Sequence, residues 1–108
     1  MVATRQQCNL EIAEILEGIS IGNLRVSISK EGDSMNFSEF FKVLSLKYPQ
    51  QRAGQIITNY ICRDYLSIDP SEETKLIFDK MFPGNLDPFY EESTITLKRL
   101  QDEYSKKN

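Results

Sequence analysis

Four polar side chains recur at helical spacing in the middle of the chain and could recognise another molecule through hydrogen bonds. They lie at positions i, i+3, i+7 and i+11 of a predicted helix, on one face: Arg52, Gln55, Asn59 and Arg63. Guanidinium and amide groups in such a stripe bind by donating and accepting hydrogen bonds, without breaking covalent bonds. Arginine and tyrosine are enriched among residues that dominate interfaces, so we predict that the stripe and the neighbouring Tyr48 contact a protein partner.

The stripe also has two structural explanations. A helix face that meets only solvent would carry polar residues at the same spacing, and Arg52 or Gln55 could instead bond carbonyl groups of a neighbouring turn. A second predicted partner contact is the aromatic pair Phe89 and Tyr90, which follows a proline. The alternative for this pair is that both rings close the bottom of the core.

Catalytic chemistry has little support in this composition. The chain contains no histidine, which removes the most common general base and the most common metal ligand. Two adjacent carboxylate pairs, Glu72-Glu73 and Glu91-Glu92, lie at predicted helix starts, where acidic side chains complement the helix dipole. No glycine-rich phosphate loop is present. We therefore predict a protein that is not an enzyme, with no catalytic residue, no metal site and no cofactor.

The two cysteines do not form a dense disulfide framework. Cys8 lies on the apolar face of the first predicted helix, so we predict a buried thiol; the exposure of Cys62 stays open. A disulfide between them is compatible with the sequence, but the cytoplasmic location that we expect argues against it. No apolar run reaches signal-peptide or membrane-spanning length, so we expect a soluble protein without membrane contact.

Length and charge narrow the class of partner. A chain of 108 residues, 40% hydrophobic, suits one domain covering residues 1–108. The net charge of −3 argues against broad phosphate binding. Residues 35–68 are nevertheless net positive, with four basic and two acidic groups. A nucleic-acid-binding regulator that uses the basic middle helix is therefore the alternative function.

The first third of the chain predicts a helix followed by a ribbon. Thr4 and Gln7 form a capping-box pattern, and apolar residues then recur at helical spacing over about Arg5 to Glu17. Residues 19–28 change to a period of two, with Gly22-Asn23 placed as a hairpin turn. A lone strand after a long loop is the competing interpretation. An exposed ribbon edge would allow a homodimer.

Residues 35–65 predict two further helices. Asn36 caps a helix rich in phenylalanine that ends near Lys47, because Tyr48 precedes a proline. Pro49 suits the first turn of a third helix, which should run to about Asp64 or Tyr65. A glycine inside that helix, Gly54, is typical of close packing.

The last third predicts two more helices. Asp69 and Pro70 mark the start of a fourth helix, with an inner face of Leu76, Ile77, Lys80 and Met81 and a stop at Pro83-Gly84-Asn85. Residues 93–105 favour a fifth helix, although 94–97 would alternate equally well as a strand. The fold class is thus mainly α, with four to five helices and a short β-hairpin or ribbon near 19–28. Residues 1–34 form an N-terminal subregion and 35–108 a helical core.

Two motifs carry a resemblance. The pattern Tyr48-Pro49-x-x-Arg52-x-Gly54-Gln55-x-x-x-Asn59, followed by Asp87-Pro88-Phe89-Tyr90, resembles small, largely uncharacterised proteins of bacterial and phage genomes. The resemblance covers about residues 37–100; the first 34 residues depart from it, and Met35 is a candidate alternative start. It implies a phage- or mobile-element-encoded regulator or inhibitor of a host protein. We therefore expect a small non-enzymatic protein-interaction module.

Overall fold

A computed structural model describes residues 3–84 and 87–104 of the chain. In this part the helices are α1 (Arg5–Glu17), α2 (Phe37–Lys47), α3 (Ala53–Ile56), α4 (Glu72–Met81) and α5 (Ser93–Tyr104), and the strands are β1 (Arg25–Ser27) and β2 (Ser34–Asn36). The architecture is one compact, mainly α domain with a small antiparallel ribbon, which confirms the predicted fold class. Its Cα radius of gyration, 13.1 Å, is that of a single domain of this size.

The start of α1 follows from its cap. Thr4 Oγ1 accepts a hydrogen bond from the Gln7 N–H at 3.1 Å, and the Thr4 N–H donates to Gln7 Oε1 at 2.9 Å. These two bonds satisfy backbone and side-chain groups at a helix end that would otherwise need water. The predicted bounds of this helix are confirmed, and its buried face carries Cys8, Ile12 and Leu16.

The predicted hairpin turn at Gly22-Asn23 is wrong. Residues Ser20–Asn23 form a short 3₁₀ helix, and β1 pairs instead with β2, across a turn in which Gly32 has a φ of 94°. The sequence signal misled because Gly22 has a different task. A Cβ at this position would lie 1.8 Å from the carbonyl oxygen of Leu16, so glycine is needed for close contact with the end of α1.

The phenylalanine-rich helix α2 forms as predicted, with Phe37, Phe41 and Leu44 in the core and Phe40 partly buried. Asn36 occupies the cap position, but its side chain makes no capping bond. Its Oδ1 instead accepts a hydrogen bond from Arg25 Nη1 at 2.9 Å. The N-terminus of α2 is held by the ribbon, where Phe37 N–H donates to the Leu24 carbonyl at 2.8 Å.

The third helix is shorter than predicted, and Pro49 does not open it. Residues 49–51 form a turn, and α3 covers only Ala53–Ile56 before the chain continues as a π-helical turn, Ile57–Ile61. Arg52 precedes α3 with extended backbone angles, φ −73° and ψ 157°, so a helix cannot include it. The helical stretch closes at Cys62, before the predicted end at Asp64 or Tyr65.

The cap of α4 lies two residues later than predicted. Ser71, rather than Asp69, accepts the hydrogen bond from the Thr74 N–H. Only half of the predicted inner face is correct: Ile77 and Met81 are fully buried, whereas Leu76 and Lys80 are exposed. The buried side chain that sequence analysis omitted is Thr74. The predicted stop at Asn85 lies outside the described residues.

The last segment is helical, so residues 94–97 are not a strand. Its buried residues are Ser93, Thr96, Leu97 and Leu100. The predicted last residue of this helix, Ser105, lies outside the described part.

The core is shared between both predicted subregions. α1 packs against α2 and also against α5, so the first 34 residues contribute a helix to the same core as the rest of the chain. Among residues 3–84 and 87–104, no helix combines the length and the apolar character needed to cross a membrane.

Candidate interaction surface

The side chain of Arg52 is engaged within its own chain. Its Nη1 lies 3.7 Å from Glu92 Oε2, its Nε donates to the Phe89 carbonyl at 3.5 Å, and only 17% of the side chain is exposed. Arg52 therefore links the start of α3 to the turn and helix start at residues 89–92. This is the structural role that the sequence left open as an alternative.

The remaining stripe residues do not continue on one helix face. Gln55 Oε1 accepts the Arg52 N–H at 2.8 Å, while Asn59 is exposed and Arg63 lies beyond the end of the π-helical turn. A π-helix turns more slowly than an α-helix, because its hydrogen bonds join residues i and i+5. The predicted spacing of i+7 and i+11 is therefore broken, and the prediction of one continuous face is wrong.

Tyr48 also has an internal partner. Its ring stacks on Tyr60 with centroids 4.5 Å apart and an interplanar angle of 3°. Gln51 Nε2 donates to the Tyr60 hydroxyl at 3.1 Å, and the Lys47 ammonium lies 5.6 Å from the Tyr48 ring centroid. This half-buried pair joins the end of α2 to the π-helical turn.

The second aromatic pair, Phe89 and Tyr90, lies in a turn before α5. Tyr90 N–H donates to the Asp87 carbonyl at 3.2 Å, and the Phe89 and Tyr90 rings meet edge to face at 5.2 Å. Phe89 is partly buried, whereas Tyr90 is 68% exposed. Only Tyr90 of this pair therefore presents most of its ring to the surroundings. Beside it, the Pro88 carbonyl lies so close to α3 that a Cβ on Gly54 would be 1.6 Å away.

A buried polar network holds the region around Arg52 together. Asn9 Nδ2 donates to the Gln51 carbonyl at 2.9 Å, and Asn9 Oδ1 accepts from Ser93 Oγ at 2.6 Å. Ser93 Oγ in turn accepts the N–H of Ala53, the first residue of α3, at 3.0 Å. Sequence analysis missed this network. The available signal was an asparagine among the apolar positions of α1, which burial obliges to find partners.

The adjacent carboxylates Glu91 and Glu92 pair with different arginines. Arg5 binds both oxygens of Glu92 at 3.0 and 2.7 Å and also donates to the Gln50 carbonyl at 2.9 Å. Glu91 instead pairs with Arg99, which donates to the Met81 carbonyl. The hydrogen bond from Arg5 lowers the pKa of Glu92 despite the opposing effect of burial, and the charges of Arg5 and Arg52 act in the same direction.

Residues 64–71 form a loop whose ends are tied together, here called the pinned loop. Asp64 Oδ2 accepts the Ser71 N–H at 2.7 Å, and Asp64 Oδ1 accepts the Thr74 hydroxyl at 2.5 Å. Partial burial raises the pKa of Asp64, but the hydrogen bonds from Thr74 and Ser71 outweigh it and leave the pKa below its ordinary value. The carboxylate of Asp64 thus holds the two ends of the loop together, and its hydrogen bonds with Ser71 and Thr74 are called the clasp below.

The pinned loop displays two aliphatic side chains. Leu66 is 82% exposed and Ile68 is 104% exposed, and neither belongs to the core cluster. The preceding Tyr65 is anchored, because its ring stacks on Phe78 of α4 at 5.2 Å. Apolar side chains that are exposed close together can form a patch that marks a contact site. Sequence analysis missed them; the signal was two aliphatic residues in a short segment without helical or strand periodicity.

A half-enclosed cleft of about 390 Å³ adjoins the pinned loop. The cleft is lined by β1, by residues 61–64 and by Ser71, Glu73 and Thr74, and Asp64 and Ser71 belong to both the cleft and the loop. This volume lies within the range of roughly 300–1,000 Å³ that binding clefts occupy. The pinned loop and the cleft therefore form one continuous surface.

Cys62 lines the cleft without offering a reactive thiol. It is 1% exposed, and burial raises its pKa to about 12, an effect that a hydrogen bond with Thr74 offsets only in part. A thiol with this pKa stays protonated at neutral pH and is a poor nucleophile. Cys8 is buried as predicted, and both cysteines are free. Within the described ranges, no three potential metal ligands come together.

Known proteins do not assign this chain to a family. No family model matches the sequence, and no curated protein and no solved structure gives a significant match. The functional argument therefore rests on the pinned loop and the adjoining cleft.

Proposed function

We propose that this protein is a small non-enzymatic interaction module that binds a partner protein through the pinned loop. The observation that carries the proposal is the near-complete exposure of Leu66 and Ile68 on a loop closed by Asp64. Short surface loops with closely spaced ends are often functional. Because the clasp already restricts the backbone, the loop loses less conformational entropy when it binds.

The charges around the loop indicate the character of the partner. Exposed acidic side chains follow the two aliphatic residues at Asp69, Glu72 and Glu73, whereas Arg63 precedes the loop. A matching site would be an apolar pocket with a mainly basic rim, because complementary charge steers association and disfavours other partners. The resemblance to bacterial and phage proteins suggests a host protein as the target, which would make the module a regulator or an inhibitor.

The residues predicted from sequence contribute unequally to this proposal. Arg63 stays in the proposed binding surface, because it is exposed and lines the cleft beside the pinned loop. Arg52, Gln55 and Tyr48 have partners within the chain and are assigned to the scaffold. The pairing of Arg52 with Glu92 also weakens the case for nucleic-acid binding, because it leaves the predicted basic helix with little free positive charge.

The test compares two pairs of exposed aliphatic residues by affinity purification of the full chain from cells with quantitative mass spectrometry. We expect the double variant Leu66→Ser/Ile68→Ser to recover the partner at least about tenfold less than the unmodified protein. The matched control is Val43→Ser/Leu46→Ser on α2, whose side chains are 47% and 55% exposed. The control should leave recovery unchanged.

Both double variants should keep the fold. The loop variant should unfold with a free energy within about 0.5 kcal/mol of the unmodified protein, because its side chains are almost fully exposed, whereas the half-exposed α2 pair should cost roughly 1–2 kcal/mol. Equal recovery by the loop variant and the unmodified protein would contradict the proposal. An equal loss in the α2 control would do so as well, since it would indicate a general surface effect.

A further inference from the structure

The backbone hydrogen bonds at the two ends of the β-ribbon show which residues of β1 bond to β2. Phe37 N–H donates to the Leu24 carbonyl at 2.8 Å, and Ile28 N–H donates to the Asp33 carbonyl at 3.0 Å. In an antiparallel pair, hydrogen-bonded and non-hydrogen-bonded residue pairs alternate. Val26, midway between Leu24 and Ile28, is therefore the residue of β1 that bonds to β2.

Because hydrogen-bonded pairs alternate, the backbone N–H and C=O groups of Arg25 and Ser27 point away from β2. Each of these residues has an N–H and a C=O on the outer edge of β1, and both residues are exposed. In the described part of the chain, these four backbone groups have no protein partner. Four donors and acceptors along one short edge match the spacing of an added strand.

The outer edge of β2 is treated differently. The Arg25 side chain crosses β2, where Nη2 donates to the Ser34 carbonyl at 3.1 Å and Nε donates to Ser34 Oγ at 3.2 Å. Nη1 of the same guanidinium donates to Asn36 Oδ1 at 2.9 Å. Covering an edge with a charged side chain is a common protection against unwanted strand pairing. Arg25 thus occupies the Ser34 carbonyl of β2, whereas the edge of β1 has no such cover among the described residues.

The open edge lies inside the cleft beside the pinned loop. Arg25, Val26 and Ser27 line this space of about 390 Å³ together with residues 61–64. A second copy would have to bring its own ribbon and its own cleft wall into this half-enclosed space. A single extended segment needs neither, so the shape favours a peptide strand over a dimer of ribbons.

Charge in the cleft further limits the occupant. The lining carries Arg25 and Arg63, but also the carboxylates of Asp64 and Glu73, and the Arg25 guanidinium is hydrogen-bonded to Ser34 and Asn36. A polyanion would meet both carboxylates at close range, which disfavours a nucleic-acid strand. A polypeptide segment with few charges can use the backbone edge without that repulsion.

We propose that the free edge of β1 binds an extended segment of the partner protein, which lies in the cleft and adds a third strand to the ribbon. The inference rests on the proposed function, because the pinned loop would grip the body of the partner next to this strand. Backbone bonds at Arg25 and Ser27 supply affinity, and the wall that contains Arg63 selects side chains. The partner would therefore contribute two features: a linear peptide motif that binds in the cleft, and an apolar pocket that receives the pinned loop.

The experiment uses linear peptides selected on the full-length chain from a random-sequence display library, and Ser27→Pro as the test variant. Proline removes the outward N–H of this edge residue and leaves the bonds to β2 intact. We expect Ser27→Pro to weaken binding of the selected peptides about tenfold. The control Ser27→Ala keeps the N–H and should bind normally. In the complex, the amide protons of Arg25 and Ser27 should exchange more slowly with solvent.

Peptides that bind Ser27→Pro as tightly as the unmodified protein would overturn the inference, and so would a library that yields no binding peptide. If Ser27→Pro does not fold, methylation of alternate backbone nitrogens in the selected peptide replaces it. One methylation register should abolish binding and the other should spare it, and equal effects would refute strand addition. Partner recovery that depends on Leu66 and Ile68 but not on Ser27→Pro would refute the added strand alone.

Discussion

The region around Arg52 and the pinned loop differ in how their side chains are exposed. In the first a charged side chain is largely buried, and in the second aliphatic side chains are exposed. Arg52 is charged, yet only 17% of its side chain is exposed, because Glu92 and the Phe89 carbonyl engage it. Leu66 and Ile68 are aliphatic, yet they are 82% and 104% exposed. Residue type therefore does not decide which surface is free. Polar side chains near turns and helix starts form hydrogen bonds with the backbone groups there. Aliphatic side chains on a short loop with closed ends do not reach the core.

If the Arg52 region is scaffold, then breaking its closest contact should cost stability. The largest effect is expected for Gly54→Ala, because the new Cβ would lie 1.6 Å from the Pro88 carbonyl oxygen and force α3 away from the turn. We expect the free energy of unfolding, measured by urea denaturation, to fall by about 3 kcal/mol or more. Gly18→Ala is the control, since its nearest neighbour would be 3.6 Å away. Similar stability losses for both variants would contradict this account of Gly54.

The buried network predicts the next largest effect and separates two asparagines. Asn9→Ala would leave the Gln51 carbonyl without a donor and the Ser93 O–H without an acceptor, while Ser93 Oγ would still accept the Ala53 N–H. We therefore expect a loss of about 2–3 kcal/mol in urea unfolding. Asn59→Ala removes one long bond of 3.5 Å on an exposed side chain and should change stability by less than about 0.5 kcal/mol. A larger loss for Asn59 than for Asn9 would show that the sequence-predicted stripe, and not the network, stabilises the region.

The ion pairs of Glu92 predict the smallest effect, and it depends on pH. The pKa of Glu92 is lowered in the folded state from an ordinary value of 4.5, so its contribution is present above that value and is lost as the pH falls through the folded-state pKa. Because 44% of the side chain is exposed, we expect Glu92→Gln to destabilise by less than about 1 kcal/mol at neutral pH.

The measurement for Glu92→Gln is a series of urea midpoints between about pH 7 and about pH 3. The difference from the unmodified protein should shrink as the pH falls, because the carboxylate is then increasingly protonated in the folded state as well. Glu14→Gln, on an exposed position of α1, is the matched control and should leave the urea midpoint at neutral pH close to that of the unmodified protein. A difference for Glu92→Gln that stays constant across the series would mean that its charge does not stabilise the fold.

Prediction from sequence succeeded where the deciding contacts are local. The capping box of Thr4 and Gln7 placed the start of α1, and the proline after Tyr48 marked the end of α2. Prediction failed for α3, whose helical stretch starts after Arg52 and widens into a π turn. It failed at Gly22 as well, because the glycine serves a contact with α1 and not a turn.

The candidate site could be predicted only in part. Arg63 was identified from its charge and lines the cleft, whereas Leu66 and Ile68 had no pattern that marked them as exposed. The open edge of β1 could not be foreseen, because it depends on pairing with a strand that the sequence did not indicate.

The sequence by itself determined that this chain folds as one mainly helical domain, since periodicity, caps and prolines act over a few residues. Tertiary structure decided which polar groups form hydrogen bonds within the chain and which surfaces remain exposed. The contact of Arg5 with Glu92 joins residues that are 87 positions apart, and the loop closure at Asp64 needs Thr74 of α4. Such contacts depend on how the helices meet, and no local signal specifies that arrangement.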